Sequence, residues 1–313
     1  MQFKRAWKQV DGVLLLDKPI GLTSNDALQK ARRLFSAAKG GHTGTLDPLA
    51  TGLLPLCFGE ATKFSADLLD ADKTYEAELK LGVTTDSGDA EGEIIATAAV
   101  DVAESDISRV LPQFTGDIEQ IPPMHSALKR NGRPLYELAR KGIEVEREAR
   151  PITIESLVVT GQGDRTLDIE VVCSKGTYVR VLAEEIAAGL GTHAHLVALR
   201  RRWVEPFEQA AMVTLAEVEA TPAAEPASAP WLAAVDTAFP EVPVLALNAG
   251  QALQLCQGRM LPCPSGLPNA AHYRAYDPAG RFLGLVEPGA AGWLQVQRLF
   301  VPGAGTNGSS PKT

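Results

Sequence analysis

Polar and apolar residues alternate between positions 73 and 81, with Tyr75, Ala77, Leu79 and Leu81 on one face, a period of two that predicts a strand. Further strands are expected over 13–16, 152–160 and 167–173, and another around Tyr178. Between 26 and 35 the period lengthens. Ala27, Ala31 and Leu34 make an apolar stripe behind the capping run Thr23-Ser24-Asn25-Asp26, which predicts a helix with Lys30, Arg32 and Arg33 off the stripe. Shorter helices are expected over 62–69, 104–113, 135–141 and 182–190, the third stopped by Gly142 and the last by Gly189 and Gly191. The stretch 49–58 reads as a loop or short helix running into an apolar segment. Strands and helices follow one another without regular βαβ alternation, which favours an α+β core with a mixed, mainly antiparallel sheet.

The character of the chain shifts twice. Positions 124–150 form a turn-rich, basic insertion around Asn131-Gly132, and 221–230 is a Pro/Ala-rich connection. Beyond it, short strand signals at 273–276, 282–286 and 293–296, with a turn at Asp277-Pro278-Ala279-Gly280, predict a small β-rich unit. These boundaries divide the chain into 1–242, 243–301 and a Gly/Ser/Pro-rich tail, 302–313, expected to be disordered.

With 45% hydrophobic and 22% charged residues over 313 positions, the chain has the composition of a globular protein with one large core. No apolar run approaches a membrane span and the N-terminus has no signal-peptide pattern, so a cytoplasmic location is expected. Cys57, Cys173, Cys256 and Cys263 contain no C-x-x-C pair, and His193 and His195 lack an acidic neighbour, so neither a zinc site nor a disulfide framework is expected.

The net charge of -8 is unhelpful for binding a polyanion, but it is unevenly spread. Residues 1–42 carry a net +5 and 124–150 a net +3, against -11 over 64–120. A basic footprint on one face is what a nucleic-acid surface requires.

The most informative stretch is Gly40-Gly41-His42-Thr43-Gly44-Thr45-Leu46-Asp47-Pro48-Leu49-Ala50-Thr51-Gly52. It holds a single carboxylate among glycines and small hydroxyl residues. Asp followed by Pro is also how many helices begin, so Asp47 is either a helix cap or a working acid. Upstream lies Gly12-Val13-Leu14-Leu15-Leu16-Asp17-Lys18-Pro19-Ile20-Gly21-Leu22-Thr23-Ser24, and downstream come Asp72-Lys73-Thr74-Tyr75-Glu76-Ala77, Ser174-Lys175-Gly176-Thr177-Tyr178-Val179-Arg180 and Ala198-Leu199-Arg200-Arg201-Arg202. In this order, from about Gly12 to about Phe207, they resemble the bacterial tRNA pseudouridine synthase B (TruB) family, with a weaker match from Leu245 to Phe300.

That resemblance implies an isomerase that converts uridine 55 in the tRNA T-loop to pseudouridine after flipping the base, without cofactor or metal. Asp47 would be the nucleophile and Arg180, expected on the strand that carries Tyr178, its counter-ion. Tyr75 would stack on the flipped base and help remove the C5 proton. Tyr178 and Leu199 would line the base pocket, and His42 would fill the gap left in the RNA stack. Lys18 and Lys63 would make phosphate or structural contacts, and Arg200, Arg201 and Arg202 a phosphate-facing cluster. The 243–301 unit would be a short PUA-like RNA-binding domain. The expected partner is the T-stem-loop of tRNA, with a monomer and no protein partner implied. The alternative is a tRNA-binding or tRNA-folding module with secondary isomerase activity, which intact Asp47, Tyr75 and Arg180 argue against. A nucleoside hydrolase is disfavoured because the motif has no second acid.

Overall fold

A computed structural model describes residues 6–130, 132–207, 210–220, 230–267, 270–289 and 292–300. The 302–313 tail and most of the Pro/Ala-rich connection lie outside the described residues. Nine strands form the main sheet among these residues, and Lys73–Leu81 lies near its middle. On one side this strand pairs antiparallel with Thr166–Cys173, setting Tyr75 opposite Val171. On the other it pairs antiparallel with Ala194–Val204, setting Tyr75 opposite Arg201. Arg150–Gln162 and Gly116–Gln120 extend the sheet at one end, and Gly12–Lys18 and Leu232–Ala233 complete it at the other.

Thr51–Phe58 is a strand, correcting the expectation of a loop or short helix. Its residues are buried on both faces. Leu54, Leu56 and Phe58 pack into one core with Ala27, Ala31 and Phe35 of the helix Ser24–Phe35, while Leu53 and Cys57 pack into another with Phe64. Burial on both faces removes the polar half of the pattern, which leaves no alternation to read. The segment Val179–Gly189 is one helix, correcting the expected strand around Tyr178. Val179, Leu182, Ala183 and Ile186 point into the first core at helical spacing.

The second core continues into the C-terminal unit. Phe64 meets Phe239 at 5.6 Å and Phe282 at 5.9 Å between ring centroids. A five-stranded sheet of Val244–Ala246, Tyr273–Tyr276, Phe282–Pro288, Trp293–Leu299 and Leu261–Pro262, with the helix Ala249–Cys256, forms this unit. Cys57 and Cys173 are buried, and burial pushes both thiols up to about 12.

Candidate active site

Asp47 lies in the turn between the strands Gly40–His42 and Thr51–Phe58, and no helix starts there, so the cap reading does not hold. Several groups fix this turn. The Ser24 hydroxyl donates to the Leu46 carbonyl at 3.1 Å and accepts from the Leu46 amide at 2.7 Å. The Gly21 amide donates to the Pro48 carbonyl at 2.8 Å. The Lys18 residue is fully buried and its ammonium donates to the carbonyls of Pro19, Leu22 and Pro48, which ties it to the turn. Burial lowers its pKa to about 8.

Beyond the turn, Gly52 approaches the neighbouring strand so closely that a Cβ there would stand 2.2 Å from the Arg201 carbonyl oxygen, and its φ of +96° suits glycine. This is where Thr51 and Gly52 pair in parallel with Arg200 and Arg201. Arg201 itself is buried. Its Nε donates to the Leu53 carbonyl at 2.7 Å and one terminal nitrogen to the Gly44 carbonyl at 3.3 Å, which ties both ends of the Asp47 turn to one side chain.

Arg180 reaches Asp47 from the first turn of the helix Val179–Gly189, not from a strand. Its Nε lies 3.0 Å from Asp47 Oδ2, and its two terminal nitrogens donate to the carbonyls of Ser87 at 2.6 Å and His125 at 2.7 Å. The Arg180 side chain is 6% exposed and that of Asp47 is 37% exposed, so the guanidinium is sealed while the carboxylate stays accessible. A second carboxylate, unforeseen from the sequence, completes the arrangement. Asp89 Oδ2 lies 3.8 Å from Arg180 Nε. Asp89 is 5% exposed, and its Oδ1 accepts from the Ser87 hydroxyl and the Glu91 amide, so it faces the arginine and not the solvent. No spacing rule links position 89 to 47; the Asp-Ser-Gly-Asp turn at 86–89 was the only local sign. Burial raises the Asp47 pKa, Arg180 opposes that rise, and the Asp89 charge adds to it.

A cleft of about 770 Å³ opens over Asp47, lined among others by His42, Asp89, His125, Tyr136 and Arg180. Of the expected site residues it gathers Asp47, Arg180 and His42 in its wall. His42 has its Nδ1 buried without a hydrogen-bond partner among the described residues, and burial followed by the Arg201 charge lowers its pKa. Tyr75 is buried on the strand Lys73–Leu81 and is not part of the cleft lining; burial pushes its phenol up, against the pull of the Arg201 guanidinium. Tyr178 is the residue before the Val179–Gly189 helix, and its backbone is clamped by Gln120 through bonds of 2.8 and 3.2 Å. Leu199 lies on the Ala194–Val204 strand opposite Ala77, packed against the first core.

Two expectations place residues differently. Lys63 is not in the cleft wall: its ammonium pairs with Glu60 and donates to the Leu299 carbonyl of the C-terminal sheet at 3.2 Å. The three consecutive arginines do not form one phosphate-facing cluster. Arg200 forms an ion pair with Asp17 at 2.8 Å, Arg202 pairs with Glu76 at 3.4 Å, and Arg201 is buried, because neighbouring residues on a strand face opposite ways.

A mainly antiparallel sheet with an arginine-paired aspartate exposed to a cleft fits the class of the pseudouridine synthases, which are isomerases. Three family models cover the chain: TruB family pseudouridylate synthase (N terminal domain) over 32–179, tRNA pseudouridylate synthase B C-terminal domain over 180–238, and Pseudouridine synthase II TruB, C-terminal over 243–300. The chain belongs to the TruB family. It is 61% identical to tRNA pseudouridine synthase B of Dechloromonas aromatica (strain RCB), over 96% of this chain and 98% of that protein. It is 56% identical to the protein of the same name from Aromatoleum aromaticum, over 95% of each. The solved Cbf5-Nop10-Gar1 complex holds a chain of the same fold, with a TM-score of 0.68 at 23% identity over 93% of this chain and 85% of that one.

Proposed function

We propose that this protein isomerises uridine 55 in the T-loop of cytoplasmic tRNA to pseudouridine. The observation that carries the reading is the pairing of a cleft-facing Asp47 with a sealed Arg180. In the reaction the target uridine leaves the RNA stack and enters the cleft. Asp47, as an anionic nucleophile, bonds to the flipped nucleotide and the N1–C1′ bond breaks; the freed base turns, C5 bonds to C1′, the bond to Asp47 breaks, C5 loses its proton and N1 gains one. Arg180 keeps Asp47 ionised and aimed in a pocket whose desolvation favours the neutral acid. Tyr75 supports the base and assists removal of the C5 proton, Tyr178 and Leu199 bound the base pocket, and His42 fills the space left in the RNA.

Residues 1–242 form the catalytic unit, the 124–150 insertion closes over the T-stem-loop, and 243–301 forms a small RNA-binding unit of PUA type. RNA loops with splayed bases are read by shape and stacking, which suits a cleft flanked by basic segments. The deciding experiment maps pseudouridine in tRNA from cells lacking the gene, with the gene restored, and with an Asp47→Asn gene restored. Loss of the modification at position 55, rescued only by the unaltered gene, is expected; its persistence in the deleted strain would overturn the assignment.

A further inference from the structure

The most concentrated basic segment of the chain, residues 1–42, is only partly used by the site: Lys18 is buried beneath it. Among the described residues, Arg32 and Arg33 stand in the last turn of the Ser24–Phe35 helix and Lys39 shortly beyond it. There the chain leading into the fold is latched to the turn after that helix, the Lys8 amide donating to the Ser36 carbonyl at 2.7 Å and the Ala38 amide to the Lys8 carbonyl at 2.9 Å. The latch brings the Trp7 ring over the Arg32 guanidinium, 5.2 Å from carbon to ring centroid. Arg32 is spent on structure. Its nitrogens donate to the carbonyls of Ala37 and Ala38 and to the Gln29 side chain at 3.3, 2.8 and 3.0 Å. It holds the turn and backs the indole, which remains 50% exposed.

Arg33 follows Arg32 in the chain and Lys39 follows Ala38, whose carbonyl Arg32 holds; both are exposed, with no acidic side chain paired to either among the described residues. Solvated charges of this kind are ordinary singly. Their grouping beside an indole that packing has left open is not, because a flat aromatic face next to cations is how proteins hold a nucleic-acid strand without reading its sequence. Lys39 also leads directly into the strand Gly40–His42, with the Gly59 amide donating to its carbonyl at 3.0 Å. Three residues of extended chain place it about 10 Å from His42 in the cleft wall. The segment that carries Lys39 therefore runs into the cleft wall at His42.

We propose that Trp7, Arg33 and Lys39 form a second RNA-contact surface, which takes the phosphate backbone of the substrate strand as it leaves the cleft past His42, with the indole as a stacking platform. This rests on the reading that the cleft takes RNA. It places a grip on the N-terminal side of the active site, in addition to the one expected from the 124–150 insertion.

The test compares three proteins on one tRNA transcript: the unaltered chain, a variant carrying Trp7→Ala, Arg33→Glu and Lys39→Glu, and a control carrying Arg109→Glu and Arg165→Glu. The control makes the same change in charge at exposed positions that line no part of the cleft. Binding constants are measured at several salt concentrations, with melting curves for each protein. The patch variant should bind on the order of ten-fold more weakly at low salt, with a log–log salt slope smaller by about 1–2, while the control stays close to the unaltered chain. In turnover assays its loss should fall on KM and not on kcat. If the triple variant melts early, Lys39→Glu alone is read on the same scale. An unchanged affinity and slope in the patch variant, or an equal loss in the control, would overturn the inference. Absence of pseudouridine formation by the unaltered chain would instead count against the reading of function, and the binding comparison would still stand by itself.

Discussion

Arg180 Nε stands 3.0 Å from the carboxylate of Asp47 in a position that the sequence separates by more than a hundred residues. Each of the three nitrogens of this guanidinium has a partner, two of them backbone carbonyls and the third Asp47, with Asp89 3.8 Å from the same Nε. The arginine is thereby fixed before any substrate arrives, and the nucleophile inherits that geometry.

Replacing Asp47 by Asn tests the nucleophile most directly. Asn keeps the size and one acceptor but cannot attack as an anion, so turnover should fall by roughly a thousand-fold or more. Binding of tRNA should stay within a few-fold. The folded state raises the pKa of Asp47 above its ordinary value, so the ionised form is held at a cost and the melting temperature of the variant should not drop. Near-normal single-turnover rates in a well-folded Asp47→Asn protein would end the assignment.

The pH dependence carries the same signature. Between 3.8 and the raised value the folded protein holds a proton on Asp47 that the unfolded chain has lost, so this group's stabilising contribution declines as pH rises through that window, while activity rises as the carboxylate ionises. Asp89→Asn removes a like charge from the vicinity of Asp47 while keeping an acceptor for the Ser87 hydroxyl and the Glu91 amide. The acid limb of kcat/KM should move to lower pH in that variant. A limb that does not move would mean that another group controls it.

Gly52→Ala probes the seam beside the catalytic turn. The added methyl would sit 2.2 Å from the Arg201 carbonyl oxygen at a φ of +96°. A loss of about 3 kcal/mol or more is expected, with activity falling further because the seam anchors Asp47. Chemical denaturation alongside a single-turnover assay separates the two effects.

Lys129 and Arg130 form a short hairpin with Arg133 and Pro134, and all three basic residues are exposed. Their joint replacement by Ala should weaken binding to an isolated T-stem-loop and reduce its salt slope by about 2. Titrations of the stem-loop at two salt concentrations would show it, and an unchanged slope would take the insertion out of the RNA contact.

Deleting everything after position 242 removes Phe282 from Phe64 and opens the core that Phe64 shares with Phe239. Such a truncation should melt at lower temperature and bind a hydrophobic dye. Calorimetry would therefore have to precede any reading of its RNA affinity.

The strand Lys73–Leu81 and the helix after Thr23 were legible because each has one wet face, and the burial of alternate or every third to fourth residue writes itself into the pattern. Thr51–Phe58 was not, since both of its faces are dry. A strand was expected at Tyr178, but Val179, Leu182, Ala183 and Ile186 recur at helical spacing and pack into the core as one helix. In the site, Asp47, His42 and Arg180 came from motifs. Asp89 did not, because its role exists only through a contact made by folding. Lys18 and Arg201 carried charges that suggested phosphate, and only burial reveals that they bind carbonyl oxygens of their own chain.

The turn bearing Asp47 is held by Ser24, Gly21, Lys18 and Arg201 together, whereas the insertion facing it across the cleft is a short hairpin and one helical turn with most of its side chains in water. One jaw of the cleft is rigid and the other is light. RNAs of differing loop shape would then be sorted by whether the light jaw closes on them, and each one that passes meets the same carboxylate in the same place.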